Sequence, residues 1–183
     1  MTAQIVGFDP IIAFNPLPSP LVIARELGAS HESFRRDLLQ PVMDEVSMEG
    51  VVIDTDVFVA AGFNAKSASA SVLAAIRERR FQLVWNEPTR CETEFVLRRI
   101  PPLGWDKFAD LFRPEGEFTL RVDPHDFAFI EDPGDRKFAA LGAAAKVPLV
   151  TNDHHLLAHR NLIGFDVLTP PAFLTRAGET SSS

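Results

Sequence analysis

From Gly50 onward, apolar residues alternate between two patterns: short β-branched runs, and stretches with apolar positions three and four apart. Val51-Val52-Ile53 is a continuous apolar run, the pattern of a strand buried on both faces of a sheet. Val72, Leu73 and Ile76 predict a helix over 67–80, and Phe81 to Trp85 predict a second strand. A helix over 89–100 is stopped by Pro101 and Pro102. The region from Leu103 to Ile130 has weaker periodicity; it suggests a short helix over 105–112 and a strand over 117–122. Residues 132–147 read as a helix with Asp132 as N-cap and Pro133 in its first position. A buried strand over 147–153, a short helix over 154–159, and a last strand over 166–174 running into a helical end complete the pattern. Residues 178–183, Gly-Glu-Thr-Ser-Ser-Ser, read as disordered. Strands alternating with helices predict an α/β fold: three layers, α/β/α, around a central, mainly parallel sheet.

The first 49 residues differ. Pro10, Pro16, Pro18 and Pro20 make an irregular arm. Residues 21–46 follow with a hairpin that resembles a helix-turn-helix, Ser30 capping its second helix and Arg35 and Arg36 lying on it. Glu26, Glu32 and Asp37 offset those arginines, so packing on the main domain or on a second subunit is favoured over DNA reading. The expected division is an extension over 1–49, a domain over 50–176 and a disordered tail over 177–183.

Composition narrows the class. A hydrophobic fraction of 46% suffices for a core, and 23% charged residues is ordinary for a globular domain. No apolar run approaches a membrane span, and the N-terminus lacks the charged start of a signal peptide. A single cysteine, Cys91, excludes an intramolecular disulfide and suits a reducing cytoplasm. The net charge of −7 argues against a wide basic face for nucleic acid. Arg77, Arg79, Arg80, Arg90, Arg98 and Arg99 form a locally basic stretch, ordinarily the sign of a solvated helix face.

The candidate chemistry lies in acids at strand ends. Asp54 and Asp56 follow the first strand and Asp153 follows the third, and the crevice of an open α/β sheet lies at the carboxyl ends of its strands. Each has a plain structural alternative: Asp56 as a cap of the next helix, Asp153 as a cap of the helix over 154–159. Capping explains each acid singly and gives no reason for both to share one edge. Asp135 falls in the first turn of its helix, above Phe138 and Ala139, where the helix dipole also favours an acid. Glu92 would complete a Thr89-x-x-Glu92 capping box, and it shares a face with Phe95 and Val96. Glu94, the expected solvent-facing partner of Arg98, is kept as the alternative to Glu92.

Taken in order, Asp54-Thr55-Asp56, Asn86-Glu87-Pro88 with Glu92 before Val96-Leu97-Arg98-Arg99, Asp132-Pro133-Gly134-Asp135-Arg136-Lys137-Phe138 and Val150-Thr151-Asn152-Asp153 resemble the PIN domain. The likeness is greatest to the toxin branch of toxin–antitoxin pairs, the VapC-like ribonucleases, and covers about 50–175. It implies that Asp54, Glu92, Asp135 and Asp153 are an acidic quartet binding Mg²⁺ or Mn²⁺; the strand ends favour Asp54 and Asp153 as direct ligands, with Glu92 and Asp135 completing the site directly or through water. It also implies an RNA substrate cleaved to leave a 5′-phosphate, a homodimer and a cognate antitoxin. Three features depart from the pattern: Asp56 stands where the family has Asn, His155 where this branch often has an acid, and residues 1–49 have no counterpart.

Two rivals accompany this reading. Val51 to Phe58 also resembles the opening motif of haloacid-dehalogenase-type phosphatases, with Asp54 as nucleophile and Asp56 as general acid. Against it, no lysine follows Lys146, and that family needs one after Thr151. The other rival is a PIN-like binding protein acting through its N-terminal extension. His155 and His159 have the spacing of a zinc pair but lack a third placed ligand.

Overall fold

The structure, a computed structural model, describes residues 48–180. The arm and the helix-turn-helix-like hairpin over 21–46 lie outside the described residues.

Among the described residues, four strands form one parallel sheet in the order β2-β1-β3-β4: β1 (Gly50–Ile53), β2 (Gln82–Leu83), β3 (Leu149–Val150) and β4 (Val167–Leu168). The helices are α1 (Thr55–Phe63), α2 (Ala68–Arg77), α3 (Glu87–Arg99), α4 (Pro133–Ala145), α5 (His154–Ala158), α6 (Arg160–Ile163) and α7 (Pro170–Thr180).

The pleat of β1 explains the layering. Val51 and Ile53 join a buried cluster with Val57 and Phe58 of α1, Leu73 and Ile76 of α2, and Phe173 of α7. Val52 points the other way, into a cluster with Phe138 and Leu141 of α4, Leu156 of α5 and Ile163 of α6. Apolar side chains on both faces require helices on both faces, and the α/β/α architecture follows. Burial of each large apolar side chain contributes about 1.5–3 kcal/mol, and the two clusters hold the sheet between them.

The region over 103–131 departs from expectation. Instead of one helix over 105–112 there are two 3₁₀ turns, Trp105–Lys107 and Ala109–Leu111. The expected strand over 117–122 reduces to a single parallel bridge between Trp85 and Glu117. Leu120, at the centre of that alternating stretch, is 71% exposed, so its apolar face has no layer to cover it. Aromatic packing substitutes for regular structure: Phe112 lies 5.6 Å from Phe58, 5.0 Å from Trp105 and 6.0 Å from Trp85, ring centre to ring centre. The Trp85 indole N–H also donates to the Arg113 carbonyl at 2.9 Å.

Helix α3 begins earlier than expected, and its cap differs. The Asn86 side chain accepts from the Thr89 N–H at 3.2 Å, and the Thr89 hydroxyl accepts from the Asn86 N–H at 3.1 Å. The capping box is therefore Asn86–Thr89, not Thr89–Glu92, and Glu92 lies inside the helix. Asn86→Ala removes the side-chain acceptor of the Thr89 N–H and keeps the bond from its own backbone N–H to the Thr89 hydroxyl; we expect a cost of about 1 kcal/mol and a Tm lower by roughly 2–4 °C in a thermal melt. An unchanged Tm would show that the box contributes nothing.

Other expectations hold. Asp132 caps α4, accepting from the Gly134 N–H at 2.7 Å, with Pro133 in the first turn. The arginine stretch is paired: Arg77 with Asp110, Arg79 with Glu115, Arg80 with Glu78, Arg90 with Glu87 and Glu94, and Arg98 with Glu94, while Arg99 lies over the Phe95 ring. Helix α7 continues to Thr180, and its Phe173 is buried against Phe81 at 4.8 Å. Among the described residues no single helix is long and apolar enough to cross a membrane.

Candidate functional site

The register of β1 against β3 creates the site. Ile53 pairs with Val150, and the Asp54 N–H donates to the Val150 carbonyl at 3.0 Å, so the two strands end side by side. β1 is also where the chain's path reverses, β2 adding on one flank and β3 on the other, and that is where open α/β sheets form their crevice.

Asp54 stands at the N-terminus of α1, yet its side chain makes no capping hydrogen bond. Its carboxylate is 4% exposed and accepts from the Thr151 hydroxyl at 2.7 Å. The Thr151 Oγ1 in turn accepts from the Asp153 N–H at 2.9 Å, so one buried threonine ties the two strand ends together. Asp153 does cap α5, one oxygen accepting from the His155 N–H at 2.6 Å. Capping thus accounts for part of Asp153 and for none of the Asp54 side chain.

Asp135 sits in the first turn of α4 above buried Phe138 and Ala139, as expected. Its carboxylate takes no hydrogen bond from the described residues. Desolvation pushes it up to about 7, followed by the charges of Asp54, Asp153, Asp132 and Glu92. Asp54 is also pushed up to about 7, by burial first and then by Asp56, against the opposing Thr151 hydrogen bond. Asp54, Asp135 and Asp153 therefore share one crevice. Among the described residues, none of them forms an ion pair.

Glu92 lies near enough for its charge to act on Asp135. It receives the Lys137 ammonium in an ion pair between α3 and α4. The face it was expected to share turns inward only in part, since Phe95 is 54% exposed. Glu94 pairs with Arg98 at 2.8 Å, as the helical spacing predicted.

Asp56 is not the helix cap. It lies in the first turn of α1, and its Oδ2 accepts from the Asn152 N–H at 2.9 Å, anchoring the loop after β3. Its Oδ1 is buried without a partner among the described residues. Burial and then the charge of Asp153 raise this carboxyl to about 6, against the Asn152 hydrogen bond. Thr151, Asn152 and Lys137 stand in the sequence motifs without roles of their own; contact across the fold gives them partners.

The histidines divide differently from their spacing. His159 turns its Nδ1 to the His155 carbonyl at 2.8 Å and packs 6.0 Å from Phe129. It is His154 and His155 that lie with Asp153, their ligand atoms within 4.8 Å of one another.

The donor set fits a hard divalent cation. Its ligating atoms are carboxylate oxygens, several without a compensating donor, and one buried oxygen of Asp56 is orphaned. Without a cation, three carboxyls in this crevice are held above their ordinary range by burial and mutual repulsion.

Residues 50–155, more than half of the 183-residue chain, match the PIN domain. No curated protein matches the chain. Among solved structures, PAE2754 from Pyrobaculum aerophilum is similar at 15% identity with a TM-score of 0.45, over 72% of this chain and 98% of that one. PIN domains are in general nuclease-type enzymes that use divalent metal ions, and the haloacid-dehalogenase reading finds no support beside this match. The chain belongs to the PIN domain family.

Proposed function

We propose that this protein is a metal-dependent endoribonuclease, using Mg²⁺ or Mn²⁺ to hydrolyse RNA phosphodiester bonds. The observation that carries the proposal is the meeting of Asp54, Asp153 and Asp135 in one crevice without a cation of their own. A bound divalent ion supplies a nucleophilic hydroxide near neutral pH and neutralises charge on the phosphoryl oxygens. Asp54 and Asp153 are the direct ligands, and Thr151 fixes Asp54 in orientation through its hydroxyl. Glu92 and Asp135 complete the site, directly or through water, and help orient the attacking water. Asp56 holds the loop that carries Asp153 and adds negative charge nearby.

The toxin role extends the family resemblance. In that reading an antitoxin presents an arginine-bearing helix to the acidic crevice, the enzyme works as a cytoplasmic homodimer, and the extension over 1–49 serves packing or partner binding. Mixed RNA incubated with the purified full chain and Mn²⁺ should be cut to fragments bearing 5′-phosphates, and EDTA should stop the reaction. Cleavage that persists in EDTA, or an absence of cleavage at saturating Mn²⁺, would sink the proposal.

A further inference from the structure

Three histidines lie on or beside α5, and packing accounts for only one of them. His159 turns its Nδ1 to the His155 carbonyl at 2.8 Å and packs against Phe129. His154 and His155 are exposed, and among the described residues neither ring takes part in a hydrogen bond or an ion pair. Neighbouring positions on a helix point about 100° apart and do not ordinarily face each other. These two rings nevertheless lie 3.9 Å apart, centre to centre, at an interplanar angle of 38°. Their ligand atoms and a carboxylate oxygen of Asp153 all fall within 4.8 Å of one another. Among the described residues no other three His, Cys, Asp or Glu side chains come so close. Asp153 is itself held in place: its N–H donates to the Thr151 hydroxyl at 2.9 Å, and one carboxylate oxygen accepts from the His155 N–H at 2.6 Å. One turn of chain thus fixes the carboxylate and carries both imidazoles.

We infer that Asp153, His154 and His155 form a second cation position at the rim of the crevice, one that takes a borderline transition ion such as Zn²⁺. It shares Asp153 with the metal site proposed above and rests on that reading only for the division of ions between the two positions. Asp54 and Asp135 offer oxygen alone, which suits Mg²⁺ and Mn²⁺, whereas imidazole nitrogen suits Zn²⁺, Ni²⁺ and Cu²⁺. Zn²⁺ binds histidine nitrogen and carboxylate oxygen at about 2.0–2.2 Å, so its ligand atoms lie roughly 3.4 Å apart in a tetrahedron. Drawing in from 4.8 Å or less to that spacing takes a movement of about 1 Å, within the swing of exposed rings. Two imidazoles and one carboxylate leave the fourth position to water, the ligand count of an open zinc site.

Calorimetric titration of Zn²⁺, and separately of Mn²⁺, into the metal-stripped full chain tests this on proteins whose far-ultraviolet spectra match the parent. The double variant His154→Asn, His155→Asn should lose about tenfold or more in Zn²⁺ affinity and keep its Mn²⁺ affinity within about threefold. Asp54→Asn should do the reverse. Asp153→Asn should weaken both ions, since that carboxylate is common to the two positions. Co²⁺ in place of Zn²⁺ should give the visible absorption of a four-coordinate ion in the parent and lose it in the double variant. Unchanged Zn²⁺ affinity in the double variant overturns the inference. So does a Zn²⁺ loss in Asp54→Asn equal to that in the double variant, which would place the ion in the crevice. Zn²⁺ binding that survives Asp153→Asn would reduce the site to two surface histidines, and the inference falls there too. If Asp54→Asn binds Mn²⁺ like the parent while the double variant still loses Zn²⁺, the crevice reading fails and the histidine site stands.

Discussion

Asp54→Asn should abolish metal-dependent RNA cleavage while the fold stays intact. Losing one electrostatic group aimed at developing charge typically costs 10²–10³-fold in rate, so a fall of about 100-fold or more is expected. The fold should survive because the amide oxygen of Asn can still accept the Thr151 hydroxyl that now bonds Asp54 at 2.7 Å. The change also removes a charge from a site that is 4% exposed and crowded by Asp56 and Asp153. The metal-free variant should therefore melt at a higher temperature than the parent at pH 7.5. Activity and melting move in opposite directions, which a general disruption of structure would not produce. Full residual cleavage would remove Asp54 from the site.

In the metal-free parent, Tm should fall as pH rises from about 5 to 7.5. Asp54 and Asp135 are pushed up to about 7 and Asp56 to about 6, so the native state holds protons that the unfolded chain releases near pH 4. Their stabilising contribution is complete below the unfolded pKa and is lost as pH rises through about 6 to 7. Each proton taken up on folding gives a slope of roughly 1.4 kcal/mol per pH unit. Asp54, shut away from water, carries the largest share; Asp135 is partly exposed and its effect is screened. Saturating Mn²⁺ should reverse the trend, because the ion needs these carboxylates ionised. At a hundredfold excess over Kd it stabilises by about 2.7 kcal/mol, or roughly 5–10 °C for a chain of this length. A metal-free Tm that stays flat over this range would show that burial and mutual repulsion do not raise these carboxyls.

Much of this architecture is legible in the sequence because the signals are local. Val51-Val52-Ile53 is apolar at every position, which demands cover on both faces and so predicts three layers. Asp132-Pro133 marks the start of α4 by the chemistry of the two residues themselves. Asp54 and Asp153 are legible as a pair because parallel strands end at a common edge. The misreadings are local too. Thr89-x-x-Glu92 satisfies the capping-box pattern, but Asn86 offers a competing cap three residues earlier, ahead of Pro88, and that one forms. The alternation over 117–122 reads as a strand, yet no layer covers its central Leu120.

The sequence by itself determined the layers, the strand ends and the presence of acids at them, since each depends on neighbours within a few positions. Only the tertiary structure decided how those acids are partnered. Thr151 reaches Asp54 across 97 positions, Asn152 reaches Asp56 across 96, and Lys137 reaches Glu92 across 45. The first two contacts follow from the register of β1 against β3, and the last from the approach of α3 to α4. Register and packing are settled by the two apolar clusters together, which no short window of sequence contains. Asp54, Asp135 and Asp153 thus share a crevice without a cation of their own, while Glu92 is held by one.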